Sequence, residues 1–145
     1  MIYGGRAGAS RDFRIASREA RARFGVEVRR DDIDTVGLYR TRARQRLGTI
    51  REDGVVQTNS SVFLEQDVRF TDYLRATAGV RYDHFDFDVN STIAANSGTA
   101  SDSITSPKLT IVAGPFAKTE LFLNVGRGFH SNDARGTTIT VDPTN

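Results

Sequence analysis

Along most of the chain, apolar and polar residues alternate with a period of two, which predicts half-buried strands rather than helices. The clearest run is Leu74, Ala76, Ala78, Val80 and Tyr82, interleaved with Arg75, Thr77, Gly79, Arg81 and Asp83. Before it, Val62, Leu64, Val68 and Phe70 share one face, interrupted by Gln66. The other face carries Ser61, Glu65, Asp67 and Arg69, interrupted by Phe63. Further on, Leu109, Ile111 and Ala113 alternate with Lys108, Thr110, Val112 and Gly114, and Leu121, Leu123 and Val125 with Phe122, Asn124 and Gly126. Near the start, Ala20, Ala22, Phe24, Val26 and Val28 alternate with Arg21, Arg23, Gly25, Glu27 and Arg29. A short helix also fits there, because Ala16, Ala20 and Phe24 lie four apart behind a cap at Ser17. Gly25 and the Val26/Val28 pair favour the strand. The pattern therefore predicts five strands and assigns nothing to residues 1–16.

The links between the strands add a second signal. Residues 71–73 and 115–119 are short connections, the latter started by Pro115, whereas 30–60, 90–105 and the tail from Phe129 are long. Long and short links alternate. In an up-and-down meander this places every long loop at one end and every tight turn at the other, as in an outer-membrane barrel. A soluble sandwich has no reason for that asymmetry. Residues 74–82 and 62–70 each span nine positions, and a tilted membrane strand needs about 9–11. Phe70, Tyr73, Tyr82 and Phe116 stand near the ends of the apolar faces, where interfacial belts place rings; general strand propensity of aromatics is the plainer account.

Composition narrows the classes. With 145 residues the chain is one domain at most, or a piece of something larger. Twenty basic against 18 acidic residues leave a net charge of +2, unlike a polycationic nucleic-acid tail or an acidic disordered chain. Among the bases 18 are arginine and 2 lysine, so planar, permanently charged donors are favoured. The absence of cysteine excludes a disulfide scaffold, a zinc finger and a thiol nucleophile. There is no apolar run long enough for a transmembrane helix, and the Met1-Ile2-Tyr3-Gly4-Gly5-Arg6 start does not read as a signal peptide.

Several segments resemble the barrel of TonB-dependent outer-membrane receptors. Residues 106–133, from Ser106-Pro107-Lys108-Leu109 through the short turn to Gly126-Arg127-Gly128-Phe129, resemble that family's hairpin of an SPKL strand and a returning strand with a GxGF element. Residues 70–83 are similar to its T-D-x-L…G-x-R-Y-D hairpin, and residues 34–46 to an external-loop segment. The resemblance implies an all-β, antiparallel up-and-down meander forming part of a transmembrane barrel. It implies a non-enzymatic transporter of scarce ligands such as ferric siderophores, located in the cell outer membrane. The implied partners are membrane lipid and lipopolysaccharide, the remainder of the barrel and its plug, and, through the plug, an inner-membrane energy-coupling protein; no cofactor or nucleic acid is implied. Family barrels have about 22 strands, and no plug, TonB box or closing strand is evident. Residues 1–145 are therefore expected to be an incomplete barrel segment without a plug domain. Arg75, Arg81, Glu65, Asp67 and Asn124 are then expected to face the lumen or a plug. The alternative is a soluble all-β binding module whose apolar faces meet in one core and whose long loops hold a partner.

Other candidate chemistry is sparse, and no ligand-binding residue is assigned. His84, Asp86 and Asp88 fall on one strand face and could form an open, weak divalent site; a solvated strand end accounts for them more simply. Arg40, Arg42, Arg44 and Arg46 alternate, either as a cationic face toward lipopolysaccharide phosphate or another anion or as a solvated loop. Gly126 and Gly128 lack the lysine of a phosphate-cradling loop and suit close backbone approach instead. His130, Ser131 and Asp133 are residue types of a nucleophilic triad, but three near-neighbours on a loop make a poor one.

Overall fold

A computed structural model describes residues 1–129 and 134–142. The alternation seen in the sequence becomes one antiparallel six-stranded sheet in the order β1-β2-β3-β4-β5-β6. The strands are β1 (Ile2–Ile15), β2 (Arg18–Arg42), β3 (Gln45–Thr71), β4 (Leu74–Ser91), β5 (Gly98–Phe116) and β6 (Thr119–Gly126). Every connection joins neighbours, so the sheet is an up-and-down meander with β1 and β6 as its edges. Six strands replace the five expected because residues 2–15 pair along their whole length with β2, from Ile2↔Asp31 to Ile15↔Arg18. Residues 20–28 belong to β2, and Ala16 and Ser17 form a tight turn with φ of 46° and 67° rather than a helix start.

The two ends of the sheet differ as the link lengths imply. At one end β1–β2, β3–β4 and β5–β6 are joined by two residues each: 16–17, 72–73 and 117–118. Ala117 and Lys118 have φ of 47° and 72°, so this turn and the one at 16–17 have the doubly positive φ of a type I′ hairpin, whose twist matches that of the flanking strands. The other end corrects an expectation. Residues 30–60 are not a loop; β2 and β3 continue as a projecting hairpin that turns at Ala43 and Arg44 (φ 48° and 65°). The register of this extension shifts three times, between Ile33/Val36, Leu38/Tyr39 and Arg40/Thr41. Residues 90–105 are likewise mostly strand, with a single 3₁₀ turn at Ala94–Asn96. Strands of 25, 27, 18 and 19 residues thus contain the nine-residue apolar stretches and extend well beyond them.

The register assigns each side chain to a face. One face carries the rows Ala7–Val26–Val62–Tyr82, Ala9–Phe24–Leu64–Val80 and Phe13–Ala20–Val68–Ala76–Ile111–Leu123. Phe24, Val26, Val62, Leu64, Val80 and Tyr82 stay 43–58 % exposed. Among the described residues no second layer packs against them, so these form no sealed sandwich core. The small buried cluster lies instead on the opposite face of the projecting part, where Val55, Phe87 and Ala134 meet with Phe85 and Ala100 beside them. Among the described residues no helix is long and apolar enough to cross a membrane, which says nothing about crossing by strands.

Candidate functional site

The face opposite the apolar rows is built from the other parity of each strand and is held together by charge. Its rows across the sheet read Asp12–Arg21–Asp67–Thr77–Thr110–Asn124 and Ser10–Arg23–Glu65–Gly79–Lys108–Gly126. Glu65 pairs with both Arg23 and Lys108, and Arg23 reaches Asp67 at 2.5 Å. Asp67 in turn accepts from the Thr77 hydroxyl. One row higher, Arg81 distributes its donors among Asp83 (3.0 Å), Ser61 (2.8 Å) and Glu27 (3.4 Å). Opposite charges facing each other across strands stabilise a sheet modestly per pair, and planar guanidinium forks suit such shared contacts. Thr110 donates to Asn124 at 2.8 Å, and Arg75 reaches Glu120 at 3.4 Å. Arg75, Arg81, Glu65, Asp67 and Asn124, expected on one face, do share it.

Phe63, the apolar residue among these charges, has a local cause. It stands opposite Gly25, and a Cβ there would fall 2.6 Å from the Phe63 ring. The glycine makes room for an aromatic ring that covers the exposed backbone of β2.

Above this ladder the projecting strands form a crown. Along β4 the apolar residues change parity, from Leu74–Tyr82 on the exposed face to Phe85, Phe87 and Val89 on the charged face. Val89 is 1 % exposed, and Phe85 meets the Phe129 ring edge-on at 5.6 Å. The side chains of Arg51 and Asp53 are also buried there, 5 % and 0 % exposed. Their charges approach to 2.5 Å, but off the donor axis, so among the described residues Arg51 Nε and Nη2 and both Asp53 oxygens have no hydrogen-bond partner. Segment 134–142 runs across the crown, with Ala134 buried against Val55 and Phe87. Asn96, wholly buried, holds its far end: Asn96 Oδ1 accepts from Thr140 N and Val141 N, and Nδ2 donates to Val141 O, all at 2.9 Å. Asn96 and the Arg51–Asp53 pair were not singled out from the sequence. The parity change at residues 82–85 was the available signal that buried chemistry lies at this level.

The remaining candidates are placed as follows. His84, Asp86 and Asp88 stand just beyond Tyr82 on the exposed face, with His84 Nε2 3.4 Å from Asp86. No group of three or more His, Cys, Asp or Glu among the described residues is arranged to hold a metal ion. Arg40, Arg42, Arg44 and Arg46 do not form one strand face, because the turn at Ala43–Arg44 divides them. Arg46 lies over the Tyr39 ring at 3.6 Å and donates to Thr49 and Glu52. The Arg46 guanidinium, and after it the Tyr39 hydroxyl, hold the Glu52 carboxyl below the usual carboxylate range. His130, Ser131 and Asp133 lie outside the described residues.

The meander, its unequal ends and its two contrasting faces coincide with a match over residues 3–144 to the family described as TonB dependent receptor-like, beta-barrel. The chain belongs to that family. TonB-dependent receptors are outer-membrane transporters, in which a barrel encloses a plug and works with TonB. The six-stranded sheet is therefore part of a TonB-dependent receptor barrel. No curated protein matches the chain.

Proposed function

We propose that the chain is a segment of barrel wall in an outer-membrane TonB-dependent transporter that imports a scarce ligand such as a ferric siderophore. The exposed rows from Leu74 to Tyr82 face lipid, and the His84 row above them reaches the headgroups and lipopolysaccharide. The ladder of Arg23, Glu65, Asp67, Arg75, Arg81 and Asn124 lines the lumen or meets a plug supplied by the rest of the polypeptide. Energy from the inner membrane arrives through that plug.

One observation carries this reading. A contiguous patch of large apolar side chains, far wider than a soluble monomer shows, covers one face of a sheet whose opposite face is charged. Both sheet edges, β1 and β6, present unpaired backbone groups. Backbone in lipid requires partners, so the edges need neighbouring strands. The test is the chain expressed alone in water without detergent. Aggregation or absence of a folded species is expected, whereas a monodisperse monomer that melts cooperatively would overturn the reading.

A further inference from the structure

One charge interrupts the outward apolar rows. Arg11 heads the row Arg11–Ala22–Gln66–Ala78–Leu109–Val125, with Ala9–Phe24–Leu64–Val80 above it and Phe13–Ala20–Val68–Ala76 below. Among the described residues, no other charged side chain stands on this face between Arg18, beside the turn at 16–17, and the row of His84. The two polar side chains of the row are treated differently. Gln66 Nε2 donates to the Arg21 carbonyl at 3.1 Å and to the Asp67 carbonyl at 2.9 Å, so the wall's own backbone accommodates it. Arg11 is exposed and has no hydrogen bond or carboxylate among the described residues. Its neighbour Asp12 lies on the opposite face and pairs with Arg21.

Depth makes this guanidinium expensive. At about 3.4 Å per residue and a tilt of about 40°, the stretch from Arg11 to Ala16 lifts Arg11 about 13 Å above the turn, half the height of an apolar band of about 25 Å. Neither headgroup layer is then within reach of its side chain. Charges at such depth pair with one another or face a polar interior, and Arg11 faces outward. It also stands on β1, an edge of the sheet whose other side needs a neighbouring strand. The opposite edge differs: the outward residues of β6, Leu121, Leu123 and Val125, are all apolar. The two edges therefore call for neighbours of different chemistry.

On the barrel-wall reading, we propose that Arg11 is one half of an ion pair inside the bilayer. The other half is an Asp or Glu on the strand that completes the wall beside β1. That carboxylate faces lipid, directly opposite Arg11 or two residues from that position, because side chains on one face of paired strands meet at about 4.5–5.5 Å across and about 7–8 Å diagonally. The planar guanidinium suits a carboxylate held in this way, and the small Ala9 and Ala22 beside it leave room for a long side chain. The pair also sets register. A slip of one residue would carry the carboxylate to the lumen and leave Arg11 alone in hydrocarbon.

The sequence of the adjoining strand is the first test: no Asp or Glu at those positions overturns the pair. The second is urea unfolding of the complete barrel in vesicles. Arg11→Met strands the carboxylate and is expected to lower the folded-to-unfolded ratio at least about tenfold. Neutralising the carboxylate to Gln or Asn in the Arg11→Met background is expected to recover most of that loss, and Arg11→Lys, which keeps the charge, to lose less than Arg11→Met. Where Arg11→Met does not fold at all, recovery by the second substitution decides, and its failure overturns the pair. A raised or unchanged ratio for Arg11→Met also overturns it, since removing an unpaired guanidinium from hydrocarbon stabilises the wall. A loss seen with phosphatidylglycerol present but not in phosphatidylcholine alone would assign Arg11 to a lipid headgroup and overturn the pair. Leu64→Arg, one row above, separates this from the wall reading. A large loss there with a gain at Arg11→Met keeps the lipid-facing assignment and overturns the ion pair alone. Negligible effects of both overturn the assignment and the pair with it.

Discussion

Leu64 and Val28 are about equally exposed, 54 % and 49 %, and lie on the same face two rows apart. Leu64 stands between Phe24 and Val80 in the middle of the apolar rows, whereas Val28 stands opposite Ser60, level with His84. If water bathed this face, Leu64→Arg and Val28→Arg would each change stability within about 0.5 kcal/mol, as ordinary surface substitutions do. If lipid bathes it, they separate sharply. Arginine near the hydrocarbon midplane of a barrel wall costs about 2–4 kcal/mol, and close to the interface about 0–1 kcal/mol. With tenfold per 1.4 kcal/mol, Leu64→Arg lowers the folded-to-unfolded ratio by about 30- to 1,000-fold, and Val28→Arg by less than about tenfold. No carboxylate lies in the Leu64 row to offset the charge; its neighbours there are Ala9, Phe24, Val80 and Pro107.

The assay is urea unfolding of the complete barrel in vesicles, with protease protection as the measure of the folded fraction. Mutations on opposite sides of the wall serve as a control. Thr110→Arg, on the charged face beside Asn124, should be tolerated in either medium. Equal shifts for Leu64→Arg and Val28→Arg would refute the placement of the hydrocarbon boundary between their rows, and with it the argument from apolar parity.

Two further outcomes follow from local geometry. Gly25→Ala brings a Cβ to 2.6 Å from the Phe63 ring and 2.9 Å from the Ala7 carbonyl, an overpacking cost of about 1–3 kcal/mol; in a Phe63→Ala background the part due to the ring should disappear while the carbonyl contact remains, and strict additivity in a double-mutant cycle would show that the ring is not an obstacle. In the projecting hairpin, above the apolar rows, the Glu52 carboxyl is held below its ordinary 4.5 first by the Arg46 hydrogen bond. A depressed carboxyl contributes stability above its ordinary pKa and loses it as pH falls through the lowered value. Protease cutting near residues 42–46 should therefore increase below about pH 4.5, and Glu52→Gln should abolish that dependence.

How much of this was legible in the sequence varied with the physical signal. Where strong apolar residues met strong charges, as at 74–82 and 62–70, period and face were plain, and the charged set of Arg75, Arg81, Glu65, Asp67 and Asn124 could be placed together. β1 left no comparable mark, because the outward positions Gly5, Ala7 and Ala9 are too small for contrast with Arg6 and Ser10. The turns at 16–17, 43–44 and 117–118 place Ala-Ser, Ala-Arg and Ala-Lys at positive φ without the Asn-Gly signature of such hairpins. Residues 43–44 accordingly look in the sequence like part of a long loop. The crown depended on contacts between residues more than 40 positions apart, such as Asn96 with Val141, and alternation cannot encode those.

The parity change along the strands links these successes and failures. On β4 the even positions are apolar up to Tyr82, and the odd ones from Phe85 to Val89. On β3 the same exchange runs from Val62, Leu64 and Val68 to the buried Val55. A strand of constant twist does not exchange its faces, so the exchange reflects a change in what surrounds the wall. On the proposed reading, below it the apolar medium lies outside and the inner face can be ionic. Above it, on the same reading, water lies outside, in keeping with His84, Asp86 and Asp88, and apolar side chains such as Phe87 and Val89 find shelter in the interior of the crown. The boundary between wall and crown is thus written twice, once by where the outward apolar rows stop and once by where the inward ones start, and the two agree within three residues of Tyr82.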